Sequence, residues 1–185
     1  MYNSPTLYCI VDIETTGKTA REGKITEIAI FVHNGQKVID SFSSLINPEC
    51  HIPYFITKLT GIDDEMVKDS PRFYELAKKI VELTAGSIFV AHNASLDYRF
   101  VREEFSRLGY EYKRKTICTV KWGRKYLPGH ASYSLGKLCS ELDIPINGRH
   151  RAAGDALATV RLFEILLTKH EQENRDLRNT QLRLF

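Results

Sequence analysis

Cysteine is scarce and scattered: Cys9, Cys50, Cys118 and Cys139 are the only four, and no two of them form a CxxC pair. That spacing argues against a zinc site and supplies no disulfide framework, so the four read as small buried side chains. Long apolar runs are also missing, and nothing approaches the roughly 20 residues needed to span a bilayer. The apolar run at residues 7–11 is too short for a secretory signal core, and no small-residue cleavage site follows it. The expected compartment is therefore the cytoplasm, with no membrane association. Internal repeats and low-complexity stretches are absent. Neither charge dominates: 26 basic against 23 acidic residues leave a formal +3, which allows an anionic partner without demanding one. A chain of 185 residues, 43% hydrophobic and 26% charged, suits one globular domain with a substantial core.

What is present is a regular succession of patterned segments. Residues 7–14 read as a central apolar strand and Lys24–Val32 as a second. Asn34-Gly35 is a hairpin signal, and Gln36–Ile46 is the returning strand. Pro71–Leu83 carries apolar residues at helical period, with Ser70 as the expected N-cap. A short strand over Ser87–Ala91 follows, then a helix opened by Ser95 or Asp97 and stopped at Gly109. Thr116–Val120 reads as a last strand, with helices over Ser134–Leu142 and Ala152–Leu167. Three strands and then alternating helices and strands predict an α/β fold, a mixed sheet with helices on both faces. The folded domain is expected over residues 1–168, with residues 169–185 a polar C-terminal tail.

The chemistry begins at Val11-Asp12-Ile13-Glu14-Thr15-Thr16-Gly17. Side chains in a strand alternate, so Asp12 and Glu14 share one face and their charges crowd. One of them takes up a proton, or a cation sits between them. A third acid, Asp97 in His92-Asn93-Ala94-Ser95-Leu96-Asp97, follows an apolar strand, at the strand end where open α/β sheets place ligands. A fourth, Asp155 in His150-Arg151-Ala152-Ala153-Gly154-Asp155, lies about one turn inside the last helix among small residues that allow close approach. Singly, each has an ordinary reading as a strand-end acid, a helix cap, a solvated carboxylate or a polar loop histidine. Together, four acids fall at element ends that one sheet can bring to one edge. The only Lys or Arg within these motifs is Arg151, with Arg99 two positions past Asp97. Hard divalent cations prefer such oxygens, and two of them about 4 Å apart activate water and stabilise the leaving oxygen of a phosphodiester. An imidazole, neutral above a pH of about 6.5, can take the proton of that water. The residues themselves thus point to metal-assisted phosphodiester hydrolysis.

In order and spacing, the three segments resemble the exonuclease motifs of the DnaQ-like DEDDh 3′–5′ exonucleases. Within that family the likeness is to the proofreading (epsilon) subunit of bacterial DNA polymerase III and related polymerase exonuclease domains. The resemblance runs from Leu7 to Leu167 and takes in Leu59-Thr60-Gly61-Ile62 and Ser134–Cys139. His150, five positions before Asp155, places the chain in the histidine branch. The resemblance implies a ribonuclease H-like fold with a five-stranded mixed sheet. It also implies release of 5′-mononucleotides from DNA 3′ ends, in proofreading or repair, with two Mg²⁺ or Mn²⁺ ions. Asp12, Glu14 and Asp155 would hold the ion that activates water, Asp12 would reach the second, Asp97 would join partly through water, and His150 would be the general base. Ile13, Thr15 and Thr16 would lie with Glu14 around the terminal 3′ hydroxyl, Gly61 and Ile62 against the terminal base, and Asn93 along the groove. A helix C-cap remains an equal reading for Thr60-Gly61, and core packing is the favoured one for Phe100. Two alternatives stay open: an exoribonuclease of the same family, and a non-catalytic nucleic-acid or clamp-binding module, against which the intact set of acids argues.

Two further features concern partners. Lys113, Arg114, Lys115, Lys121, Arg124 and Lys125 interleave with Tyr110, Tyr112, Trp122 and Tyr126, as a nucleic-acid track or a solvated face. The chain ends Gln181-Leu182-Arg183-Leu184-Phe185, which resembles the peptide by which bacterial replication and repair proteins dock on the sliding clamp. Gln181 would bond the rim of a pocket filled by Leu182, Leu184 and Phe185. Lys169–Thr180 would be a flexible tether spanning roughly 20 Å. The other reading is a terminal helix turn with Leu177, Leu182 and Phe185 packed on the domain. A DNA polymerase is a further partner suggested by the resemblance.

Overall fold

The computed structural model describes residues 6–182, with side chains through residue 180. In chain order the elements are β1 (Tyr8–Thr15), β2 (Ile25–His33), β3 (Val38–Leu45), α1 (Tyr54–Thr60), α2 (Asp64–Val67), α3 (Phe73–Thr84), β4 (Ile88–Ala91), α4 (Ala94–Arg107), β5 (Thr116–Cys118), α5 (Thr119–Tyr126), α6 (Leu135–Glu141) and α7 (Ala152–Leu182). The strands form one five-stranded sheet in the order β3-β2-β1-β4-β5. The hairpin-linked β1, β2 and β3 pair antiparallel, whereas β4 lies parallel to β1 and β5 parallel to β4. Parallel neighbours need crossover connections, which α3 and α4 supply.

The period of two along β1 divides the core. Cys9, Val11 and Ile13 join Ile28 and Ile30 of β2 against Phe73, Ile80, Phe100 and Phe105 of α3 and α4. Ile10, on the opposite face, packs with Val90 against Val160, Phe163 and Leu167 of α7. Farther along that face, Ala29 meets Ala152 and Ala156, small residues that let α7 come close to the sheet. Asp12 and Glu14 continue the Ile10 row, so the strand carries them out of the core towards the start of α7.

Several expectations need correction. Helices α1, α2 and α5 were not anticipated from the sequence. They are short, and α5 (TVKWGRKY) begins with β-branched residues that read as a continuing strand. Ile62 does not present an edge to a base: it is fully buried with Ile52, Ile56 and Val67 in a small core of its own. Gly61 caps α1 in the left-handed conformation at φ 73°, its N–H bonded to the Thr57 carbonyl, as the cap reading required. The stretch Lys169–Thr180 is not a coil, because α7 runs unbroken to Leu182. Its Glu, Gln, Arg and Leu content favours helix. Tyr126 Oη pairs with His170 Nδ1 at 2.7 Å, and the Trp122 ring packs on His170, which ties the helix to α5. Leu177 is exposed rather than packed on the domain. Gln181 and Leu182 belong to the helical backbone, while Leu184 and Phe185 lie outside the described residues. Finally, Cys50 is exposed, Cys118 is half-buried, and only Cys9 and Cys139 are buried.

Helix starts also shifted. Arg72, not Ser70, precedes α3, and its N–H donates to the Glu75 carboxylate at 2.8 Å. Asn93, at φ 69°, precedes α4. Among the described residues no helix is long and apolar enough to cross a membrane.

Candidate active site

Carboxylate oxygens of Asp12, Glu14 and Asp155 all lie within 4.8 Å of one another at the carboxyl end of β1. Asp12 and Glu14 come from one face of the strand, and Asp155 from the first turn of α7. Crowding shows in their protonation. Burial pushes the Asp12 carboxyl well above its ordinary range, and the charges of Asp97, Asp155 and Glu14 push it further. Glu14 is raised to about 7 by burial, then by Asp155 and Glu27. Asp155 is raised by burial, against the pull of the His150 N–H, which donates to Asp155 Oδ2 at 3.0 Å. These are hard oxygen donors held together without a sufficient counter-charge, a set that suits a divalent cation.

Asp97 lies outside that trio. Burial raises it to about 7, opposed by bonds from its own N–H and that of Ile13. The Ile13 side chain sits in the core, so only its main chain is at the site. Thr15 and Thr16 shape the turn after β1. Thr15 Oγ1 donates to the Gly17 carbonyl at 2.7 Å, and Thr16 Oγ1 accepts the Lys24 N–H at 3.0 Å. Asn93 is exposed at the start of α4. Gly61 is exposed at the end of α1, while Ile62 behind it is enclosed. Phe100 is a core residue.

The two motif histidines differ in kind. His92 donates from Nε2 to the Tyr133 carbonyl at 2.9 Å, which leaves Nδ1 to accept the Thr119 hydroxyl at 3.0 Å. Burial lowers its basicity, so it is a neutral tie between the end of β4 and the segment before α6. His150 is half-buried on the turn leading into α7, in the left-handed conformation at φ 61°.

Two residues unnoticed in the sequence hold this geometry. Glu27 stands opposite Glu14 on β2 and is buried. It accepts Arg151 Nε at 3.1 Å, Arg151 Nη2 at 2.8 Å and the Ala152 N–H at 2.8 Å, so it anchors the start of α7 to the sheet. A lone acid in the apolar run ITEIAIFV was the available signal. Arg107, at the end of α4, donates through Nη2 to the carbonyls of Ala20 at 2.8 Å, Arg21 at 3.0 Å and Gly23 at 3.2 Å, pinning the loop after β1.

The basic and aromatic cluster is largely structural. Tyr112 is buried, Trp122 and Tyr126 pack on α7, and Arg114 donates to the Thr84 carbonyl. Lys113 and Lys125 pair with Glu111 and Glu173. Lys115, Lys121 and Arg124 have no carboxylate partner among the described residues.

Gly154 shows how tightly the His150 turn is fitted. A Cβ there would lie 2.0 Å from the Asn147 carbonyl oxygen and 2.6 Å from that of Gly148. Alanine gains about 1 kcal/mol in helix propensity over glycine, but overlap with two backbone carbonyls outweighs that gain and must shift the turn. Gly154→Ala is expected to lower the melting temperature and to reduce kcat roughly tenfold to a hundredfold through misplacement of residues 147–151. Calorimetry and steady-state kinetics check both, and unchanged values would contradict this packing.

The raised carboxylates also set a pH dependence. A carboxyl whose folded pKa lies above its unfolded value keeps its proton longer in the folded state. Its contribution is full below the ordinary carboxylate range and is lost as pH rises through about 7 for Glu14 and Asp97. In EDTA the melting temperature is therefore expected to fall between about pH 5 and about pH 8, and added Mn²⁺ to raise it more at the upper pH. A flat profile, or equal Mn²⁺ effects at both ends, would contradict it.

A ribonuclease H-like sheet with converging acids at its carboxyl edge offers a divalent cation a set of oxygen ligands. The family model described as "Exonuclease" (RNase_T) matches residues 9–163. The chain belongs to this exonuclease family. It is 34% identical over 165 residues to the PolC-type DNA polymerase III of Caldanaerobacter subterraneus subsp. tengcongensis, covering 89% of this chain and 12% of that protein. It is 37% identical over 168 residues to the 3′-5′ exonuclease DinG of Bacillus subtilis, covering 89% of this chain and 18% of that protein. The chain thus spans less than a fifth of the length of both these relatives. Among solved structures, Exonuclease X in complex with 5′ overhanging duplex DNA superposes with a TM-score of 0.70 at 29% identity, covering 87% of this chain and 91% of that one. Escherichia coli Exonuclease I in complex with a dT13 oligonucleotide shares the fold, with a TM-score of 0.80 at 16% identity over 93% of this chain and 43% of that one.

Proposed function

We propose that the chain hydrolyses the terminal phosphodiester at DNA 3′ ends to release 5′-mononucleotides, in proofreading or repair, with two Mg²⁺ or Mn²⁺ ions. The observation that carries this reading is the convergence of Asp12, Glu14 and Asp155 within 4.8 Å beside the His150 turn. Bound divalent ions would supply a Lewis acid that activates water and stabilises the leaving oxygen. The chain's own groups do the rest. Asp12, Glu14 and Asp155 hold the cations, and Asp97 supports them while held by the Ile13 N–H. The His150 imidazole takes the proton of the attacking water. Glu14 and the main chain of residues 13–16 receive the terminal 3′ hydroxyl, which selects a strand end. Gly61 and Asn93 border the path of the strand. DNA as the substrate is supported by the nucleic acid named in the structural relatives.

The test is a panel of 5′-end-labelled single-stranded DNA, RNA and mismatched duplex, each with Mg²⁺, Mn²⁺ or EDTA. DNA shortened stepwise from its 3′ end with 5′-mononucleotides released, and no reaction in EDTA, is the expected result. RNA as the sole substrate would favour the exoribonuclease reading, and inertness towards every substrate would leave a binding module. Docking of Gln181, Leu182, Leu184 and Phe185 on a sliding clamp, alone or with a polymerase, belongs to the same proposal. Unchanged co-elution with the clamp after deletion of residues 181–185 would refute it.

A further inference from the structure

Exposed cations gather on both sides of the first turns of α4, and the proposed reaction does not use them. Lys18, Arg21, Arg99 and Arg102 line one groove. Arg99 also lines the next, with Lys121 and Arg124. Arg124 and Asn93 continue into a third, towards Tyr133. The shared residues make the three grooves one belt. All six cations are exposed, and none meets a carboxylate among the described residues. Glu103, the one acid in the lining, faces Arg107 at 3.9 Å. The belt passes the acidic site closely: Asp97 is buried in the same helix whose next turn exposes Arg99 and Arg102.

Six like charges in a row repel one another, an arrangement suited to neutralisation by a polyanion. The aromatic rings of the lining are already engaged: Tyr133 donates its hydroxyl to the Leu127 carbonyl at 2.8 Å, and its ring meets Arg124 and His130. Tyr98, the aromatic residue of the central groove, has its hydroxyl tied to the Arg114 main chain, accepting the N–H at 2.8 Å and donating to the carbonyl at 3.1 Å. Its ring packs on Phe89. A surface of cations without a free aromatic platform reads phosphates, not bases.

We infer that this belt binds the phosphate backbone of the strand upstream of the terminal nucleotides, independently of sequence. The inference rests on the exonuclease reading for the placement of the 3′ end, and it concerns a part of the surface that reading leaves unassigned. Long strands gain affinity from the belt and very short ones do not reach it. Because phosphates carry the contact, DNA and RNA strands engage it alike.

The test compares the parent with the triple variant Arg99→Ala, Lys121→Ala, Arg124→Ala, by fluorescence anisotropy in Ca²⁺ with oligothymidylates of about 4 and about 16 nucleotides. Binding of the longer strand is expected to weaken at least tenfold, and its log–log salt slope to shrink by roughly 2, near 0.7 for each lost phosphate contact. Binding of the shorter strand is expected to stay at the parent's level, as is hydrolysis of the p-nitrophenyl ester of thymidine 5′-monophosphate. An oligouridylate of the longer length is expected to lose as much as the DNA. A variant that matches the parent in long-strand affinity and salt slope overturns the belt, as does a loss equal for short and long strands or confined to one sugar. A parent that binds long strands through these residues yet cleaves none would sink the exonuclease reading and leave the belt standing.

Discussion

Asp12→Asn is expected to abolish hydrolysis while raising the melting temperature of the metal-free protein. The two effects share one cause. Asp12 lies half-buried in the row that continues Ile10, and Asp97, Asp155 and Glu14 all act to keep a proton on it. Asparagine keeps the shape and removes the charge, which relieves the repulsion that folding imposes. For a chain of this size each kcal/mol recovered is worth about 2–4 °C. Catalysis moves the other way. The charge stabilisation that a cation gives a transition state is worth several kcal/mol, and each 1.4 kcal/mol is about tenfold in rate. Loss of the residue proposed to reach both ions should thus cost roughly three orders of magnitude or more. Calorimetry in EDTA and a labelled-end assay in Mn²⁺ read the two effects on one sample. Retained turnover, or a lower melting temperature, would remove Asp12 from the centre of the site.

His150→Ala should lose roughly 10²–10⁴ in kcat, the range of a positioned general base, while Mn²⁺ still binds. Two different groups of the residue would carry the two proposed roles. The main-chain N–H of residue 150 serves Asp155 at 3.0 Å, and alanine keeps it. Only the imidazole is lost. The left-handed backbone at φ 61° is open to alanine at a modest cost, so the turn is expected to persist. Single-turnover kinetics alongside Mn²⁺ titration by calorimetry distinguish the outcomes. A parent-like rate would exclude the imidazole from proton transfer, and lost Mn²⁺ binding would instead make the side chain part of the metal's support.

Much of the site was legible in the sequence because it rests on short-range rules. Alternation along β1 put Asp12 and Glu14 on one face, and the apolar runs set β2 and β4 beside them. The small residues before Asp155 forecast a close approach, which Gly154 makes against Asn147 and Gly148. What was not legible depends on contacts distant in sequence. Glu27 and Arg151 meet across 124 positions, and Arg107 reaches a loop more than 80 residues earlier. Ile62 read as an exposed edge because nothing local announces the small core it shares with Ile52, Ile56 and Val67. The tail misled for another reason. Its polarity was read as disorder, although its residues are good helix formers and its first turns lean on Trp122 and Tyr126.

That unbroken α7 has a mechanical consequence. Asp155 occupies its first turn and Leu182 its last, 27 residues apart, or about 40 Å at 1.5 Å per residue. A stiff rod, not a loose leash, therefore leads from the acidic centre to the last described turn of the helix. Such a spacer fixes distance and bearing together, so a companion seated there would stand clear of the strand terminus and yet turn with it as one body.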